Sequence, residues 1–131
     1  TLGLVKRPWE PNHFGPSGRV LGYFDVENFN PALWRPGYPN PAFGRMTEGD
    51  AAWMTRILAE FTDAHVQAAI DEADIQNTVT ERELTRILLG RRQRIYERWL
   101  TRRSPLAHPR IEATADGAAL CVRDLAVFGW R

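Results

Sequence analysis

Arginine supplies most of the chemistry that this sequence could perform. Sixteen of the 17 basic residues are arginine, and eight of those lie in one long helical pattern. At about 100° per residue, Arg91, Arg94 and Arg98 fall in a narrow wedge beside the apolar face of that helix. Guanidinium groups at this spacing can bind phosphate, RNA or an acidic protein surface. Alternatively, they lie on a solvated face and pair with the acids of residues 48–74. We expect the wedge to face acidic groups or solvent rather than a nucleotide.

The other reactive side chains do not form a recognisable constellation. Metal sites usually contain closely spaced ligands, whereas His13, His65 and His108 are far apart in the sequence. Cys121 lies in a strand pattern, where a lone cysteine is typically a small buried hydrophobe. Neither of the two serines occurs in a nucleophile-elbow motif. The sequence therefore assigns no catalytic, cofactor-binding or metal-binding residue.

The near-neutral charge restricts the classes of partner. The chain has 17 basic and 16 acidic residues, which gives a formal net charge of +1. Proteins that bind nucleic acids or membrane surfaces usually have a clear basic excess, so the composition argues against nucleic acid. No apolar run approaches the roughly 18 residues that a transmembrane helix needs, so no transmembrane segment is expected.

Residues 1–45 differ in composition from the rest of the chain. They contain seven of the nine prolines and eight of the fourteen aromatic residues. Proline at this density blocks long helices, whereas disordered segments contain few aromatic residues. We therefore predict an extended Pro- and aromatic-rich N-terminal arm, with a possible short strand over Val20–Phe24. We expect most of a set of five rings to be buried, those of Trp9, Phe24, Phe29, Trp34 and Phe43.

Helical signals begin after the arm. Thr47 is a good N-cap, and two acids follow it in the first turn of a helix predicted over 48–61. A second helix is predicted over 63–73. The pattern Thr80-Glu81-Arg82-Glu83 is typical of a capping box and predicts the start of the longest helix, over 81–102. Gly90 in this helix indicates a bend or a close crossing.

The C-terminal region changes from helical to strand patterns. The Asp116-Gly117 pair between two short β-prone segments predicts a hairpin. The overall prediction is a mainly α fold, with an arm at 1–45, a small three-helix bundle at 46–104, and a short C-terminal β-hairpin and tail at 105–131.

Three stretches of the chain resemble a known group of proteins. These are TLGLVKRPWEP, VLGYFDVENFNPALWRPGYPNPAFGRMTEGDAAWMTRILAEFTD and the RRQRI helix. They resemble the C-terminal part of long, uncharacterised bacterial proteins, over roughly residues 1–105, and Gly22–Ala52 carries most of the likeness. The upstream part of such proteins is similar to an atypical kinase core of the HipA and CotH type. It carries an Asp-Phe-Gly-like metal-binding motif shortly before the position equivalent to Thr1.

The resemblance transfers no catalytic residue to this chain. The sequence lacks the Asp-Phe-Gly-like motif, the context of the nucleotide-binding lysine and the catalytic-loop aspartate. What the resemblance implies is a helical portion that follows a catalytic-like core. The absence of a starting Met fits that expectation.

The preferred functional hypothesis is a non-catalytic protein-interaction or structural module that docks on other protein. Its partner would be another protein chain or the missing remainder of its own chain. The alternative is the C-terminal lobe segment of a kinase-like phosphotransferase whose catalytic core is not in this chain. Aromatic and arginine side chains dominate the energy of many interfaces, and an apolar C-terminal end adds to them. The predicted interaction residues are Trp9, Trp34, Arg91, Arg94, Arg98, Phe128 and Trp130.

Overall fold

The computed structural model describes residues 18–22 and 24–129. Helices occupy about half of these residues, and a two-stranded antiparallel sheet lies near the C-terminal end. The elements in chain order are α1 (Gly18–Leu21), α2 (Pro41–Arg45), α3 (Glu48–Leu58), α4 (Asp63–Glu72), α5 (Thr78–Trp99), β1 (Leu106–Thr114), β2 (Gly117–Asp124) and α6 (Leu125–Gly129).

The mainly α class is confirmed, but the three-helix bundle is not. Helix α5 is 22 residues long, and α1, α3, α4 and α6 all pack against it. Helices α3 and α4 therefore both pack on α5, and the contacts do not confirm a closed bundle of the three. No helix in the described part of the chain is both long and apolar enough to cross a membrane.

The first two long helices begin where the sequence predicts. The Thr47 hydroxyl accepts a hydrogen bond from the Asp50 amide, and the Asp50 carboxylate accepts one from the Thr47 amide at 2.8 Å. This reciprocal capping box satisfies two amides that the helix itself cannot pair. Thr62 and His65 form an equivalent pair at the start of α4.

The predicted start of the longest helix is wrong by three residues. Helix α5 begins at Thr78, because the side chain of Asn77 accepts hydrogen bonds from the amides of Val79 and Thr80. Thr80 is instead buried within the first turn. Asparagine is as good an N-cap as threonine, and the upstream cap adds almost one further turn of helix.

A small core joins the helices to the hairpin. Tyr96, Leu100, Ala107 and Leu125 form one buried cluster, and Leu58 packs against it. The Tyr96 hydroxyl donates a hydrogen bond of 2.9 Å to the Leu58 carbonyl at the end of α3. The ends of α3 and α5 and the base of the hairpin are thus held in one place.

The predicted hairpin is confirmed. Strands β1 and β2 pair in register from Thr114↔Gly117 to Arg110↔Cys121, and Gly117 in the turn has a φ of 137°. An irregularity between Ala107 and Arg110 interrupts the ladder and contains His108 at a φ of 50°. The strands are longer than the short segments that the sequence suggested.

Residues 24–46, called the strap below, correct two predictions for the arm. The strap includes turns and the short helix α2, which begins at Pro41 with Asn40 as its cap, so it is not continuously extended. Residues 18–21, which overlap the possible strand, form helix α1, and Gly22 ends that helix at a φ of 59°. The amide of Gly22 bonds the carbonyl of Gly18 at 2.9 Å, a local helical turn that excludes strand pairing there.

The strap lies against the backbone of α5 at Gly90. An added Cβ on Gly90 would lie 2.7 and 2.9 Å from the two methyl carbons of Val26. The sequence suggested a bend or a close crossing, and the close approach is made by the strap rather than by a second helix. Since a side chain cannot occupy that space, glycine here permits the strap to lie directly on the helix backbone.

Candidate functional site

An apolar groove lies between the strap and the helices. Its volume is about 640 Å³, its base is formed by α5, one wall by α3 and the other by the strap. Among the described residues, its cationic lining residues are Arg35, Arg91 and Arg92, and none of its lining residues is acidic. Its apolar lining includes Phe24, Phe29, Trp34, Phe43, Met46, Met54, Leu58, Leu88, Ile95 and Trp99. The volume falls within the range of about 300–1,000 Å³ that is typical of small-ligand sites.

Arg91 lies in this groove beneath two aromatic rings. Its guanidinium carbon is 3.8 Å from the centroid of Phe24 and 4.4 Å from that of Phe29. Its Nε donates a hydrogen bond of 2.6 Å to the carbonyl of Asp25. Stacking on aromatic faces is favourable for arginine and leaves the in-plane N–H groups available.

The charge of Arg91 is not balanced by an ion pair within the described residues. The carboxylate of Asp25 accepts hydrogen bonds from the backbone and side chain of Asn28 instead, at 3.1 and 2.9 Å. Burial lowers the pKa of Arg91, while the negative charge of Asp25 opposes that shift. Arginine still stays protonated in proteins, so the groove contains a desolvated positive charge.

The other two arginines of the predicted wedge have different partners. Arg98 forms an ion pair of 2.7 Å with Glu48 at the start of α3 and lies over the ring of Trp99. Arg94 donates to the carbonyl of Phe29 in the strap at 3.3 Å. The prediction of acidic partners therefore describes Arg98, whereas Arg91 and Arg94 bind backbone carbonyls of the strap.

The sequence contained a signal for these carbonyl contacts. Proline has no N–H group, so a Pro-rich segment carries more backbone acceptors than donors. Arginine has five donors and no acceptor. A Pro-rich strap next to an Arg-rich helix therefore pairs the surplus carbonyl acceptors with the arginine donors. Neither pattern alone predicts where the strap lies.

The expectation that most of the rings of the strap are buried is wrong for the four that the structure describes. Trp34 and Phe43 contact each other edge to face, with centroids 5.3 Å apart, but they remain 41% and 48% exposed. They form the outer wall of the groove, where one side of each ring meets solvent. Phe24 and Phe29 are half-buried, and both rings lie against the guanidinium group of Arg91. Trp9 lies outside the described residues.

The predicted C-terminal interaction residues are placed only in part. Phe128 belongs to α6, but its side chain lies outside the described part of the structure, and Trp130 lies beyond it altogether. Val127, beside them, is 53% exposed.

A second apolar surface, missed in the sequence, is one face of the hairpin. Because paired residues share a face and neighbours alternate, one face carries Ile111, Ala113, Ala118, Leu120 and Val122. Its three large side chains, Ile111, Leu120 and Val122, are 78%, 71% and 40% exposed. Alternation of apolar and polar residues along both strands is the sequence signal that could have revealed this face.

The opposite face of the hairpin is polar and is tied to the helices. Arg123 forms an ion pair of 3.1 Å with Glu60, which follows α3, and His108 also contacts Glu60 at 3.1 Å. These contacts hold the pKa of Glu60 below its usual value, with the His108 hydrogen bond the largest cause. On the same face, Glu112 accepts from Arg110 and from the Cys121 thiol. The base of the hairpin is therefore tied to the helices through its polar face, while no described residue covers its three large apolar side chains.

No group of three or more histidine, cysteine or acidic side chains within the described ranges could hold a metal ion. Comparison of the chain with models of protein families, with curated proteins and with solved structures finds no match. The resemblance to a region downstream of a kinase-like core therefore stays a prediction, and so do the two functional hypotheses.

Proposed function

We propose that this chain is a non-catalytic protein-interaction module, which docks on another protein chain or on a further part of its own chain. The observation that supports this proposal is the exposed apolar face of the hairpin. It is formed by Ile111, Ala113, Ala118, Leu120 and Val122, and its three large side chains are at least 40% exposed.

Covering this face would contribute favourably to docking. Covering a large aliphatic side chain completely contributes about 1.5–3 kcal/mol, and the face offers three that are at least 40% exposed. A two-stranded hairpin is also marginally stable by itself, so a partner that covers the face would stabilise it. The ion pairs of Arg110 and Glu112 lie on the other face and would remain in water.

The experiment places a photo-crosslinking amino acid at one of two neighbouring positions. Ile111 lies on the apolar face, whereas Glu112 lies on the polar face and is also exposed. In cells that produce the full chain, we expect a discrete crosslinked product from position 111 and not from position 112. The substitution Leu120→Ser should abolish that product, because Leu120 pairs directly with Ile111.

Two outcomes would contradict the proposal. One is equal crosslinking from the two positions, which would indicate random collision. The other is an unchanged product in the Leu120→Ser variant. The mass of the product distinguishes a separate partner from a second copy of this chain.

A further inference from the structure

We propose that the groove between the strap and α5 binds a small anionic amphiphile, a monocarboxylate with an aliphatic chain, whose carboxylate pairs with Arg91. This site is separate from the docking surface proposed above, because no hairpin residue lines the groove.

The chemistry of the lining selects an amphiphile. Most of the lining side chains are apolar, and they come from the strap, α3 and α5, so the groove is built by the fold. Binding sites for small molecules are typically apolar cavities with a few polar groups that orient the ligand. Here the charged groups are arginines, and no carboxylate from the described part of the chain lines the groove.

Arg91 differs from the other lining arginines in being stacked under two aromatic rings with its terminal nitrogens unpaired within the described residues, whereas Arg92 has only its buried Nε unpaired. Arg92 donates to the carbonyl of Phe61 and to the carboxylate of Asp63, and Arg35 donates to two carbonyls of its own turn. The terminal nitrogens of Arg91 have no hydrogen-bond partner in the described part of the chain, since its Nε makes the bond to Asp25.

A carboxylate is the anion that matches this arrangement. It can accept two parallel hydrogen bonds from the edge of a guanidinium group, and such charge-assisted pairs are about twice as strong as neutral ones. The rings of Phe24 and Phe29 cover the flat side of the guanidinium group, which leaves the edge for the ligand. Since an unpaired cation in an apolar site is unfavourable, a ligand with an anionic head and an apolar tail complements both properties of the groove.

The test compares dodecanoate with dodecan-1-ol as probes of the full chain, each below its aggregation concentration, by calorimetric titration. The two probes differ only in the head group. We expect dodecanoate to bind at least about tenfold more tightly, the lower end of the effect of one charge-assisted hydrogen bond. Arg91→Gln should remove that preference while dodecan-1-ol binding persists, and Arg91→Lys should restore part of it. Arg110→Gln, which alters an arginine on the hairpin, is the matched control and should leave both affinities unchanged.

If circular dichroism shows that Arg91→Gln disturbs the strap, a second variant tests the groove instead. Met54 is 53% exposed on the α3 wall, so Met54→Trp should fill the groove without unfolding the chain and weaken both probes. Equal affinity for the two probes would indicate an apolar site alone and overturn the proposal. Absence of binding, as expected if residues 1–17 occupied the groove, would also overturn it. So would affinity for phosphatidylglycerol vesicles without affinity for monomeric dodecanoate.

Discussion

Replacement of Gly90 by alanine tests the contact between the strap and α5. In an ordinary helix interior the change would stabilise the protein by about 1 kcal/mol, because alanine is the better helix former. Here the new methyl group would lie 2.7 Å from one methyl carbon of Val26 and 2.9 Å from the other. Overpacking of this kind costs about 1–3 kcal/mol, and the branched side chain of Val26 has little rotamer freedom with which to relieve it. We therefore expect Gly90→Ala to leave the stability unchanged or to lower it by up to about 2 kcal/mol.

The Val26→Ala background provides the decisive comparison. Without the two methyl groups, the nearest remaining atom is the Cβ of residue 26 at 3.4 Å, which is ordinary contact. Gly90→Ala should then stabilise the protein by about 1 kcal/mol. The double-mutant cycle, measured by urea unfolding, should give a coupling of about 1–3 kcal/mol. A coupling near zero, with Gly90→Ala stabilising both backgrounds equally, would refute the close approach of the strap.

Three further predictions concern the elements that support the groove. Thr47→Ala should lower the free energy of unfolding by about 1 kcal/mol, whereas Thr47→Ser retains the capping hydroxyl and should retain most of that stabilisation. Equal melting temperatures for the two variants would place the start of α3 elsewhere. Tyr96→Phe should lower the urea midpoint by an amount equivalent to about 1 kcal/mol at constant m-value, because the buried hydroxyl donates to a carbonyl of α3; a midpoint equal to that of the parent would exclude this contribution. The hydrogen bonds of Arg86 lower the pKa values of Glu27 and Glu83, so their contribution to stability exists above the ordinary glutamate pKa of about 4.3 and disappears as the pH falls through the lowered values. Since the side chains of Arg86 and Glu27 are 48% and 62% exposed, the effect should not exceed about 1 kcal/mol. Melting curves that change with pH identically in Arg86→Gln and the parent would contradict it.

The parts of the fold that the sequence predicted depend on local interactions. The Thr47 cap, the start of α4 and the hairpin around Asp116-Gly117 each involve residues within a few positions of one another. The start of α5 was predicted wrongly because Asn77 and Thr80 are both good caps, and a local pattern does not rank two such residues in succession.

The groove could not be predicted in the same way, because its geometry depends on distant residues. The bonds from Arg91 to Asp25 and from Arg94 to Phe29 connect positions 66 and 65 residues apart. The sequence identified the arginines as interaction residues, but it could not show that the chain's own strap supplies their carbonyl partners. The exposure of Trp34 and Phe43 likewise follows from the position of the strap on the edge of the groove and not from their hydrophobicity.

The attachment of the strap to one helix has a consequence for the order in which the chain folds. Its bonds to Arg86, Arg91 and Arg94 all end on α5 and close loops of 59 to 66 residues, whose closure entropy opposes early formation. The strap should therefore dock after α5 has formed and should open as a separate cooperative unit in the native state. Hydrogen exchange should show this as weaker protection of the Leu33 and Trp34 amides, which bond within the strap, than of the amides near Tyr96. Since the groove exists only while the strap is docked, a ligand bound there would slow exchange at those two amides first.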